Sequence, residues 1–226
     1  MGNLIERPSP NHGPRAAGPV DILLLHYTGM ADAGQALARM CDPNAAVSAH
    51  YMIDEDGTVF RLVDEARRAW HAGDSYWAGE TDINSRSVGI ELVNPGHEFG
   101  YRPFPEAQMA ALTALALDIL ARHPIPPWRV LGHADVAPAR KQDPGELFDW
   151  PRLAGAGIGV WPAGPIEDAA ADAAAVARDL AAFGYRTADG RAAVAAFQRR
   201  FRPSRFDGRI DAETAGLAAA VAGLVG

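Results

Sequence analysis

The chain has 226 residues, a formal net charge of −7 and 48% hydrophobic residues, enough for one sizeable core and a small second unit. No apolar run approaches the ~20 residues of a membrane span, and the acidic balance excludes the broad basic face that nucleic acid requires. A single cysteine, Cys41, allows no internal disulfide, so packing alone must hold the fold.

In chain order, the Pro/Gly-rich opening MGNLIERPSPNHGPRAA reads as an irregular arm of about 17 residues. It lacks the apolar stretch of a secretory signal, which gives a cytoplasmic expectation with the periplasm or cell envelope as the alternative. VDILLLHY (20–27) is a continuous apolar run bounded by turn residues, a buried central strand that ends on His26. ADAGQALARMC has helical character, and AHYMIDEDGTVFRLV gives two strands about an Asp56-Gly57 turn. In SVGIELV (87–93) the apolar Val88, Ile90 and Leu92 alternate, so Glu91 lies on the opposite face. Apolar residues at three- and four-residue steps from Pro105 to Arg122 predict an amphipathic helix, and WRVLGH (128–133) a strand ending on His133. These elements define an α/β class with a mixed central β-sheet flanked by helices.

Beyond Trp150 the stretch PRLAGAGIGVWPAGP reads as a linker. Ala-rich helices follow near 167–183, 190–202 and 211–224, with Val176, Leu180, Phe183, Phe197, Phe201, Leu217 and Val221 placed to close a small three-helix core. The expected organisation is a first domain over 1–162 and a helical domain over 163–226. Acidic and basic residues balance in the second, so the net negative charge belongs to the first.

The segment VLGHADVAPARKQDPG (130–145) collects a His, a Lys and an Asp in what must be largely loop. Lys141 is the only lysine in a chain with 21 basic residues, which marks a position where a compact ammonium is wanted. If the strands ending at His26 and His133 are neighbours, both imidazoles meet at one sheet edge, and Asp143 can return to it. Two imidazoles and a carboxylate leave Zn2+ one open position, the arrangement of a catalytic site, and such an ion brings the pKa of water to about 7. Amide hydrolysis then needs a base and a cation for the oxyanion, roles that suit Glu91 and Lys141. An ion pair of Glu91 with Arg86 is the alternative. His50 reads as a hydrogen bonder behind the ligands, while His71, beside Trp70, could line a substrate cleft.

VDILLLHYTGM, VSAHYMIDEDGTVFRLV, RAWHAG, SVGIELVNPG and GHADVAPARKQDPGELFDW, in that order, resemble the zinc-dependent N-acetylmuramoyl-L-alanine amidases of the amidase-2 family, which share a fold with the peptidoglycan recognition proteins. The similarity covers residues 18–162 and is nearest to the AmpD and AmiD type; AVAAFQRRFRPSRFDGRIDAETAGLAA looks like a peptidoglycan-binding module. The resemblance implies one Zn2+ per chain on His26, His133 and Asp143, with Glu91 as general base and Lys141 as oxyanion stabiliser. It implies hydrolysis of the bond between N-acetylmuramic acid, or its 1,6-anhydro form, and L-Ala, on a peptidoglycan or muropeptide substrate and with no protein partner. Tyr27, Trp70, His71 and Arg86 are the expected substrate-binding residues. Two departures stand out. Ala49 occupies the place of a tyrosine found in related phage enzymes, and Asp82 that of an arginine which receives a stem-peptide carboxylate, leaving Arg86 or Arg68 as its substitute.

Overall fold

A computed structural model describes residues 4–225. Two short strands, β1 (Leu4–Glu6) and β2 (His12–Pro14), precede the central strand β3 (Ile22–Tyr27). Helix α1 (Ala33–Cys41) follows, started by Asp32, whose side chain accepts from the Gln35 N–H. Next come the hairpin β4 (Tyr51–Ile53) and β5 (Val59–Arg61), then β6 (Arg67–Ala69), α2 (Ile83–Arg86) and β7 (Ser87–Leu92). The turn α3 (Gly96–Phe99) leads to the long helix α4 (Glu106–Arg122), the strand β8 (Val130–Gly132) and the short helices α5 (His133–Val136) and α6 (Trp150–Gly155). The chain closes with α7 (Ala173–Phe183), α8 (Gly190–Phe201) and α9 (Ala212–Ala222).

The main sheet has the order β1-β5-β4-β7-β3-β8. Only the β4–β5 hairpin is antiparallel within it, so the sheet is mixed as expected. Alternation along β3 sorts its residues by face. Leu23 and Leu25 join Val88, Ile90 and Leu92 against Met109, Leu112 and Ile119 of α4, whereas Ile22 and Leu24 face the C-terminal helices. His26 continues the second set, as the period of two demands. Helix α1 covers another part of that face through Ala36 and Met40 on Met52.

Three expectations are corrected. The opening segment is not an irregular arm. β1 pairs parallel with β5 and β2 antiparallel with β6, and Asn11 Nδ2 donates to the carbonyls of Met40, Asp42 and Val47. Arg15 likewise donates to the carbonyls of Glu65, Ser85 and Ser87. Long-range polar contacts therefore do what apolar periodicity cannot. The stretch after Trp150 is in part helix α6, capped by Asp149 on the Arg152 N–H, and Trp150, Leu153 and Ile158 are buried with α4. Finally, the C-terminal helices do not close a core of their own: Val176, Leu180, Phe183, Phe197 and Val221 pack in one continuous cluster with Ile22, Leu24, Trp77 and Leu131. The first of them begins at Ala173, where Asp172 accepts from the Ala174 N–H.

Candidate active site

Parallel pairing brings the chemistry to one sheet edge. β3 lies between β7 and β8, with Leu25 opposite Gly132 and His26 opposite Glu91. His133 is the first residue of α5 rather than the last of the strand, and the loop beyond α5 returns Asp143 to the same point. Ala134 N–H donates to the Asp143 carbonyl at 2.8 Å.

The Nδ1 atoms of His26 and His133 are 2.9 Å apart, and each is 3.1 Å from Asp143 Oδ2. The outer nitrogens decide what these atoms carry. His133 Nε2–H donates to the Ala72 carbonyl at 2.9 Å, so in the neutral ring Nδ1 holds a lone pair. Ser87 Oγ donates to the Ile83 carbonyl, so it accepts from His71 Nε2–H at 3.4 Å. His71 Nδ1 then accepts from His26 Nε2–H at 3.0 Å, which bares His26 Nδ1. Burial, reinforced by His133, lowers the His26 pKa to about 4 and keeps the ring neutral. Burial alone would raise the Asp143 carboxyl, but a proton on the His133 or His26 ring outweighs it and holds the carboxyl far below the ordinary carboxylate range, so Asp143 is the anionic member of the cluster. Two lone pairs and a carboxylate oxygen thus converge, and their ligand atoms lie within 4.8 Å of one another. Such a cluster can hold a metal ion, the charge its three acceptors lack.

Glu91 stands next to it. The residue is partly exposed, yet its Oε2 is buried and has no hydrogen-bond partner among the described residues. Burial first, then the Asp143 charge, pushes its pKa well above the ordinary value, with Lys141 opposing. Glu91, Lys141, His133 and Asp143 all line one cavity of about 200 Å3, together with Met30, Ala36, Arg39 and Met40. A carboxyl that can accept a proton and an ammonium therefore line the same cavity as the cluster that could hold a metal ion.

The model of the N-acetylmuramoyl-L-alanine amidase (Amidase_2) family matches residues 16–146. The chain belongs to this amidase family. It is 39% identical to the N-acetylmuramoyl-L-alanine amidase AmiD of Escherichia coli K12 over 92% of its own length and 84% of the relative's. The structure of E. coli AmiD in complex with anhydro-N-acetylmuramic acid-L-Ala-D-γ-Glu-L-Lys superposes with a TM-score of 0.80 at 38% identity, covering 91% of this chain and 90% of that one. AmpDh3 of Pseudomonas aeruginosa, in complex with an anhydromuramic pentapeptide, gives a TM-score of 0.78 at 33% identity over 91% of this chain and 94% of that one. As a member of the family, the amidase hydrolyses the bond between N-acetylmuramic acid and L-Ala of the stem peptide.

The amidase fold places the other expected residues unevenly. Tyr27 and His71 line the cavity. His71 also orients His26, and Gly89 makes room for its ring, since a Cβ there would lie 2.6 Å from the imidazole. His50 sits behind this pair, accepting from Gly89 N–H at 2.9 Å and donating from Nε2 to the Arg67 carbonyl at 3.0 Å. Trp70 is outside the cavity lining, and its backbone N–H donates to Ser48 Oγ. Arg86 is not brought to the site. It pairs with Asp21 and Glu80 at the opposite end of the parallel strands, and Arg68 pairs with Asp82 at 3.0 Å. Both guanidiniums are occupied away from the cavity by these acidic partners. The pairing of Glu91 with Arg86 is excluded by the same placement. Arg39, which no motif singled out, lines the cavity from α1; its only sequence signal is its place one residue before the buried Met40 on an amphipathic helix.

Proposed function

We propose that the chain is a zinc amidase in which His26, His133 and Asp143 hold one Zn2+, Glu91 is the general base and Lys141 stabilises the oxyanion. The convergence of three bare acceptor atoms beside an unpartnered buried carboxyl oxygen carries this reading. Two imidazoles and one carboxylate match the three-ligand sets of catalytic zinc. When bound, the ion supplies Lewis acidity to the scissile carbonyl and the attacking water. The protein's own residues do the rest. Glu91 takes a proton from that water and returns it to the departing amine of L-Ala, a role that a raised carboxyl pKa suits. The Lys141 ammonium offsets charge gathering on the carbonyl oxygen as the tetrahedral intermediate forms.

Tyr27 and His71 contribute to the floor and wall of the substrate cleft, and Arg39, rather than Arg86 or Arg68, is placed to receive a carboxylate of the stem peptide. The helical module over 163–226 is proposed to hold wall material. Its cavity of about 410 Å3, apolar within and carrying Arg186, Arg191 and Arg209, suits saccharide faces with nearby acidic groups.

Incubation with anhydro-N-acetylmuramic acid-L-Ala-D-γ-Glu-L-Lys, the compound held by AmiD, tests the reading. Mass spectrometry should show free anhydro-N-acetylmuramic acid and a peptide with a new L-Ala amino terminus. Chelation should stop the reaction and Zn2+ restore it; full activity in a metal-free protein contradicts the proposal.

A further inference from the structure

We infer that Arg200, on α8 of the C-terminal module, is a positioning residue for the metal-binding cluster, acting on His133 and Asp143 through Asp135 and Trp150. The inference rests on the zinc reading above and gives the module a second role besides holding wall material.

Asp135 lies two residues beyond His133. Its Oδ2 accepts from the Gly132 N–H at 2.8 Å and so closes the turn on which His133 is mounted. The same oxygen accepts from Arg200 Nη1 at 2.8 Å, with both side chains only 3% exposed, and Oδ1 accepts from the Tyr185 hydroxyl. Two of the three partners that fix this carboxylate therefore come from the module. A second contact runs in parallel. The Arg200 guanidinium lies over the Trp150 ring, 4.0 Å from its centroid. Trp150 in turn packs on Gly132, where a Cβ would stand 3.3 Å from Trp150 and 2.6 Å from Pro144 Cδ. Gly132 precedes His133 and Pro144 follows Asp143, so one guanidinium braces both ligand-bearing segments, by charge through Asp135 and by packing through Trp150.

A buried carboxylate that loses its cation is strongly destabilised where it stands. The Asp135 side chain would turn away, release the Gly132 N–H and loosen the turn that aims His133. Groups one step behind a metal ligand commonly change metal affinity 10- to 100-fold when removed.

The test uses the full chain, stripped of metal and titrated with Zn2+ against a chromophoric chelator at a temperature where every variant is folded. Arg200→Met should weaken zinc binding roughly 10- to 100-fold, and Tyr185→Phe, which deletes a single hydroxyl contact, roughly three- to tenfold. Arg178→Ala, at an exposed position of α7, should bind as wild type. The double variant Asp135→Asn/Arg200→Met should lose less than the product of the single losses, because the two residues act in one chain of contacts. A merely structural Arg200 would lower the melting temperature and leave the zinc affinity of the folded protein unchanged; that result, or fully multiplicative losses, overturns the inference. Should Arg200→Met not fold, wild-type affinity in Tyr185→Phe overturns it alone. His133→Ala reports on the underlying reading: if it binds zinc like wild type, the ligand assignment fails and the inference with it.

Discussion

His26 and Glu91 are register partners, facing each other across the parallel strands β3 and β7 on the same side of the sheet. The backbone ladder thus sets the distance between a proposed metal ligand and the proposed base, with no loop to order first. Catalytic groups on rigid strands hold their geometry better than groups on loops.

Glu91→Gln keeps the shape of the side chain and removes the base. We expect metal content to stay at wild-type level while kcat falls about 10²- to 10⁴-fold, the range for a positioned general base. Atomic emission for zinc and a muropeptide assay, run on the same preparation, check both halves. A fully active variant removes Glu91 from the mechanism.

Lys141→Ala should lower kcat about 10²- to 10³-fold with little change in KM, since its charge is needed when the oxyanion forms. Arg is a poor replacement for a compact ammonium in a cavity of about 200 Å3, so Lys141→Arg should not recover activity. Steady-state kinetics on a soluble muropeptide distinguish these outcomes from a rise in KM, which would mark Lys141 as a binding residue.

Much of this centre is visible in the sequence, for local reasons. An apolar run ending in His26, an alternation that isolates Glu91, and a lone Lys141 two residues before Asp143 are patterns a single segment carries by itself. What the sequence conceals depends on distant partners. Arg86 sits beside a strand that reaches the site, but Asp21, 65 residues away in sequence, holds it at the wrong end. Arg15 and Asn11 tie down the opening segment through carbonyls dozens of residues away, which no periodicity records. Phe183 and Phe197 have the same apolar character whether they close a separate bundle or, as here, join the core that begins at Ile22. Asp135 is in plain view within GHAD, yet its meaning appears only with Arg200 beside it.

Arg39→Ala should raise KM for substrates with a complete acidic stem peptide and leave kcat nearly unchanged, because the side chain lines the cavity but is none of the groups proposed to act on the amide. Comparing muropeptides with free and amidated stem carboxylates checks the assignment. Equal KM values for wild type and variant on both substrates would remove Arg39 from substrate recognition.

Acid should destabilise the protein before ordinary carboxylates titrate. Burial, and then the Arg15 charge, lowers the His50 pKa to about 3, against about 6.5 in an unfolded chain. Between these values the unfolded state binds more protons, so the stability from neutral His50 is complete above about pH 6.5 and is lost as pH falls toward 3. The slope for one such histidine is about 1.4 kcal/mol per pH unit. Urea unfolding of metal-free protein from pH 7 to pH 4 should show this decline, and His50→Asn should flatten it by about one proton. An unchanged slope in the variant contradicts a buried neutral His50.

Anomalous diffraction at the zinc edge, on crystals of protein reconstituted with one equivalent of Zn2+, tests the metal centre most directly. The expected result is a single peak about 2.0–2.2 Å from His26 Nδ1, His133 Nδ1 and Asp143 Oδ2, on the side where Glu91 and Lys141 face the cavity. A peak elsewhere, or coordination that omits any one of these three side chains, contradicts the assignment.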